Sequence, residues 1–112
     1  FGIRLNPVSF SDVPGYQIDM GRSYWGSLWE EGGDGMVDQF NPKYVDRFLN
    51  HNDWNHYYVE AKGNHIKAWL NGVSTIDVIH ENGPIEGRLG FELCNGPKQT
   101  KLEVRVLYVR KM

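Results

Sequence analysis

Three carboxylates in this chain stand where acid–base chemistry could be done. Asp19 falls in an extended segment, Tyr16 to Met20, which it shares with Gln17. Residues two apart on a strand project from one face, so a carboxylate and an amide would point out together. Glu92 falls in a second extended segment, Arg88 to Cys94, and Glu30 opens the Gly-rich stretch Glu30 to Gly35, read as a polar loop. Scission of a glycosidic bond commonly uses two carboxyl groups, one as acid and one as base or nucleophile. Burial within strands would shift the pKa of Asp19 and Glu92 toward such work. Each also has a plainer reading. Backbone groups could satisfy Asp19, Glu92 could be an exposed strand residue, and Glu30 could be a solvated loop residue.

Carbohydrate recognition needs flat rings to cover the apolar face of a pyranose and planar polar groups to pair with its hydroxyls. Tyr24, Trp25, Trp29, Trp54 and Trp69 offer rings, and Gln17 offers an amide. Trp25 and Trp29 share a face if Trp25 to Trp29 is a strand. Trp69 lies opposite the Ile66/Ala68/Leu70 face of its own strand, so it either packs in a second layer or stays part-exposed. Trp54 opens a strand and is read as a core plug. The four histidines, His51, His56, His65 and His80, show neither H-x-H nor H-x-x-x-H spacing. No metal and no cofactor is expected on that basis. Cys94 is the single cysteine. A thiolate nucleophile would need an adjacent His, and a lone strand Cys is more often a small apolar residue.

The elements that position these groups read as β-structure. Trp54 to Lys62 alternates in polarity, Gly63-Asn64 supplies a turn, and His65 to Leu70 alternates again. Asn71-Gly72 follows, the pair that adopts two positive φ angles at least cost in a type I′ hairpin turn. Val73 to Ile79 is the return strand. Arg88 to Cys94 and Lys101 to Arg110 are two further strands, joined by a turn at Asn95-Gly96-Pro97-Lys98. In the first half, Phe1 to Leu5 and Tyr16 to Met20 read as strands around a loop with Pro7 and Pro14. Asn41-Pro42 caps a short helix over Lys43 to Leu49, with Tyr44, Val45, Phe48 and Leu49 as its apolar face.

With 112 residues the chain has the length of one domain, and 13 Gly favour turns over long helices. Net charge is -2 with no run of one sign, which argues against a nucleic-acid partner. No apolar stretch approaches the roughly 20 residues of a membrane span. Several short strands separated by turns indicate an all-β antiparallel sandwich or jelly roll. Such a sandwich usually has more strands than can be counted here. The expectation is therefore a C-terminal portion of the domain over residues 1–112, completed by a preceding segment or another domain.

Several stretches, in order, resemble one family. They are Gly15-Tyr16-Gln17-Ile18-Asp19, Gly26-Ser27-Leu28-Trp29-Glu30-Glu31, Trp54-Asn55-His56-Tyr57, Ala61 to Ile66, Trp69-Leu70-Asn71-Gly72-Val73, and Gly87 to Gly96 with Leu102 to Val109. The chain resembles the 3-keto-disaccharide hydrolase domain family, whose fold is a concanavalin-A-like jelly roll. The resemblance implies a carbohydrate partner, a small glycoside or oligosaccharide. It implies either cleavage of 3-keto-glycosides or non-catalytic binding of them. In cleavage Asp19, Glu30 or Glu92 would be the base and Gln17 or a ring hydroxyl would polarise the ketone, with Tyr24, Trp25, Trp29 and Trp69 as sugar-binding rings. Glu92 and Cys94 stand where relatives often carry Gln and His, which favours the binding module. A structural domain with the rings as interface core is the third reading. A periplasmic or extracellular location is expected.

Overall fold

The computed structural model describes residues 1–9, 11–93 and 100–111. Eight strands form two antiparallel sheets. They are β1 (Gly2–Leu5), β2 (Gly15–Ile18), β3 (Leu28–Glu31), β4 (Gly35–Asp38), β5 (Tyr57–Lys62), β6 (His65–Leu70), β7 (Val73–Ile79) and β8 (Arg88–Gly90). The first sheet runs β4-β3-β2-β1-β8 and the second β5-β6-β7. Only two short 3₁₀ helices, Arg22–Tyr24 and Pro42–Arg47, interrupt the β-structure among the described residues.

Alternation decides which face of each strand is buried. On β6, Ile66, Ala68 and Leu70 are fully buried, while His65, Lys67 and Trp69 face outward. On β2, Tyr16 and Ile18 turn inward and Gln17 outward. The inner rows meet in one core of Ile3, Tyr16, Ile18, Leu28, Ile66, Ala68 and Ile76. Each large aliphatic side chain buried there contributes about 1.5–3 kcal/mol relative to exposure. The arrangement is the expected antiparallel β-sandwich of jelly-roll kind.

The Asn71-Gly72 turn has φ 50° and 83° with Leu70 opposite Val73, as a type I′ hairpin requires. One step on, β7 carries a bulge. Trp69 faces Ser74 and Ala68 faces Ile76, leaving Thr75 as the extra residue. Thr75 is buried and its hydroxyl has no hydrogen-bond partner among the described residues. Gly26, at φ 78°, passes so close that a Cβ there would lie 2.8 Å from the Thr75 Cβ. A buried unpaired hydroxyl costs about 1–3 kcal/mol. Thr75→Val keeps the branched shape, so it is expected to raise stability by about 1 kcal/mol, read as an increased denaturation midpoint at unchanged m-value.

Several expectations are corrected. Glu30 to Gly35 is not a loop: Leu28–Glu31 and Gly35–Asp38 pair as a hairpin, with Gly32 and Gly35 supplying positive φ in its turn. The strand near Trp25 accordingly begins at Leu28. Trp54 is no core plug. It is 41% exposed, with the Arg105 guanidinium 4.6 Å over its ring, because β5 begins only at Tyr57 and Tyr57 takes the place beside the core. Lys101 to Arg110 forms no strand: it pairs with neither sheet, and Val104, Val106 and Tyr108 are exposed. Alternation alone makes no strand, since its backbone groups need a neighbouring strand. The helix after Asn41 is a 3₁₀ helix over Pro42–Arg47; Asn41 accepts from the Lys43 amide as a cap, and Val45 is buried while Tyr44 is exposed. The strand expected over Arg88 to Cys94 is seen at Arg88–Gly90, and Cys94 and the Asn95–Lys98 turn lie outside the described residues.

Candidate functional site

β2 and β3 lay a polar row on the outer face of the larger sheet. Gln17 stands opposite Trp29 across this pair, and Gln17 also faces Gly2 on β1, which in turn faces Gly90 on β8. The side chains that cross this glycine gap are polar: Gln17 Nε2 donates to Glu92 Oε2 at 2.7 Å. Trp29 is half-buried and its indole N–H donates to Glu31 Oε2 at 2.8 Å, which fixes the ring on the same face.

Asp19 lies one residue beyond the end of β2, and Glu92 two beyond β8, so neither is inside a strand. The Asp19 backbone is nonetheless fixed. Its N–H donates to the Ser27 carbonyl at 3.0 Å, and its carbonyl accepts from the Tyr57 hydroxyl at 2.8 Å. The Gly26 amide in turn donates to that hydroxyl at 2.8 Å. Burial lifts the Asp19 carboxyl to about 6, and the Glu92 carboxylate adds to it. A carboxylate at that value is an effective base near neutrality. Burial also pushes the Tyr57 hydroxyl well above its ordinary value, which keeps it a neutral donor.

Of the other groups, Trp25 stacks on Tyr57 with centroids 6.4 Å apart, one ring removed from Asp19. Trp25 also borders an open pocket of about 390 Å³ together with Arg22, Ser23, Asp46 and His51. Tyr24 is exposed and makes no hydrogen bond or ring contact with Gln17, Asp19 or Glu92 among the described residues. Trp69 sits on the outer face of the second sheet, 5.4 Å from the Tyr58 ring, across the sandwich from Gln17.

Glu30 points the opposite way from its neighbour Trp29, toward the inside, and is buried. There it meets residues that the sequence reading did not single out together. His80 Nε2 lies 2.7 Å from Asp34 Oδ2 and 3.9 Å from Glu30 Oε1, and His80 Nδ1 is 2.6 Å from the Tyr16 hydroxyl. Glu30, Asp34 and His80 offer three ligand atoms within 4.8 Å of one another. Histidine spacing left a metal site open only if the fold gathered distant ligands, and no spacing signal links positions 16, 30, 34 and 80. Only the packing of the β3–β4 turn against the end of β7 does.

The fold and the polar row define a β-sandwich with a candidate sugar-facing sheet. The chain belongs to the 3-keto-alpha-glucoside-1,2-lyase-like domain family, whose model matches residues 4–109. No curated protein and no solved structure gave a significant match. Among the described residues no helix is long and apolar enough to cross a membrane.

Proposed function

We propose that the outer face carrying Gln17, Asp19, Trp29 and Glu92 binds a 3-keto-glycoside and eliminates its aglycone. The observation that carries this reading is the Asp19 carboxyl, lifted to about 6 beside the Gln17–Glu92 pair, in a member of a lyase-like family. A ketone at C3 acidifies the proton on C2. Asp19 takes that proton, and the electron pair moves into the C2–C3 bond to give an enolate at the C3 oxygen. Gln17 Nε2 uses one hydrogen on Glu92 and has a second for that oxygen. The enolate then re-forms the ketone, a C1–C2 double bond forms, and the C1–O bond breaks. The leaving alkoxide takes a proton from Asp19 or water, and water added later across the double bond completes a net hydrolysis. Trp29 supplies the ring surface against the sugar.

The test is a chromogenic 3-keto-glucoside in deuterated water, using the full-length protein. Aglycone release together with deuterium at C2 of the released sugar is the expected result, since water added across the C1–C2 double bond places a solvent hydrogen there. Release of a sugar that keeps its original C2 hydrogen would move the chemistry to a direct displacement and overturn the elimination. Saturable sugar binding with neither signal would make the domain a binding module.

A further inference from the structure

Glu30, Asp34 and His80 play no part in the chemistry just proposed, and Glu30 points to the inner side of the sheet that bears it. We propose that these three residues bind a first-row divalent cation of the zinc or manganese kind, which ties the β3–β4 hairpin to the end of β7.

Four features support a built site. The three donor atoms come from two elements and already lie within 4.8 Å of one another. Metal–ligand distances of about 2.0–2.2 Å place tetrahedral donors about 3.3–3.6 Å apart, between the 2.7 Å and 3.9 Å that His80 Nε2 keeps from Asp34 Oδ2 and Glu30 Oε1. The Glu30 side chain is only 10% exposed, and neither Glu30 nor Asp34 forms an ion pair with a Lys or Arg among the described residues. Its Oε1 accepts from the Asp34 amide at 2.9 Å, while Oε2 accepts no hydrogen bond among those residues. A nearly buried carboxylate whose facing base is an imidazole and not a Lys or Arg is costly to keep charged, and a divalent ion supplies the charge.

The surroundings suit ligation as well. A metal-bound imidazole normally has its second nitrogen held by an oxygen, which fixes ring and tautomer. Tyr16, itself buried, does this at Nδ1. With Nδ1–H donating to the Tyr16 oxygen, the lone pair of Nε2 faces Glu30 and Asp34. Two glycines clear the space: a Cβ at Gly33 would collide with the Glu30 carboxyl, and one at Gly83 would collide with the Tyr16 hydroxyl. One imidazole and two carboxylates select zinc or manganese over magnesium or calcium, which favour all-oxygen sites.

The ion has a structural consequence distinct from the glycoside reading, so either can fail alone. The experiment treats the protein with a chelator, then titrates Zn²⁺, Mn²⁺ and Mg²⁺ by calorimetry and thermal melting. One Zn²⁺ or Mn²⁺ per chain and a rise of about 5 °C in Tm at saturation are expected, with no response to Mg²⁺. Co²⁺ should give a visible band that His80→Gln removes. Asp34→Asn changes an exposed side chain, so it should fold as the parent does in chelator and lose the metal-induced rise. No binding of Zn²⁺ or Mn²⁺, equal binding of Mg²⁺, or binding unaffected by Asp34→Asn would each overturn the proposal.

Discussion

Asp19→Asn is expected to lower turnover of a 3-keto-glucoside by roughly 10²–10⁴-fold while leaving KM within a few fold, since the amide keeps the shape and loses the base. The pH profile provides a second readout. The base must be ionised, and its carboxyl is lifted from 3.8 to about 6. Wild-type kcat should therefore climb as pH rises to about 6 and level off above it. Glu92→Gln removes one of the charges that hold Asp19 up, so the rise should move to lower pH. A purely structural Asp19 would leave that inflection where it was.

The same shift predicts an effect on stability with opposite sense. The folded protein holds the Asp19 proton more tightly than the unfolded chain does. The stability this contributes is present in acid and is lost as pH rises from about 4 through about 6. Above that range the ionised carboxylate is a burden. Allowing for its partial exposure, Asp19→Asn should be more stable than wild type at neutral pH by about 1–2 kcal/mol. Loss of activity with a gain in stability would separate a functional carboxylate from a structural one.

Asn71→Ala is expected to be the most destabilising single change in the turns, by about 3–5 kcal/mol. The side chain does more than permit φ 50°. Its Nδ2 donates to the Phe48 carbonyl at 2.7 Å and to Asn55 Oδ1 at 2.8 Å, and its Oδ1 accepts from the His56 amide at 2.8 Å. Asn55 in turn bonds the Asn50 backbone, so one hairpin residue holds the whole lead-in to β5. Asn71→Gly keeps the backbone conformation and loses only these bonds, so it should cost about 2 kcal/mol. Equal losses in the two variants, by urea denaturation, would assign the effect to the hydrogen bonds alone.

What the sequence disclosed follows the range of each interaction. The β5–β6–β7 meander was legible because alternation and an Asn-Gly turn are local. The pairing of β5 with β6 and the pairs next to the turn, Leu70↔Val73 and Trp69↔Ser74, follow from them, while the bulge at Thr75 that shifts the rest had no local signal. Gln17 was legible by the same alternation, as an outward-facing residue between inward Tyr16 and Ile18. The β3–β4 hairpin was obscured by its glycines, which mark its turn but resemble a loop. Lys101 to Arg110 shows the converse, since its alternation is a strand signal that no neighbour completes. The Tyr16–His80–Asp34–Glu30 cluster had no signature, because it exists only where one sheet closes on the other.

That two-sheet construction also sets an order of events. The meander closes through two tight turns, so each of its pairings forms at small entropic cost. β1 is different: it pairs on one side with β2 and on the other with β8, where Gly2 meets Gly90 from nearly the far end of the described chain. Closing so long a loop is slow, and it is rewarded only once both partners are in place. The meander is therefore the part that a refolding chain builds early, and the β1–β8 seam comes late. The same seam brings Glu92 to Gln17. The Gln17–Glu92 pair of the candidate site is assembled only by the final step of folding, and a chain caught before that step would be β-structured with that site unbuilt.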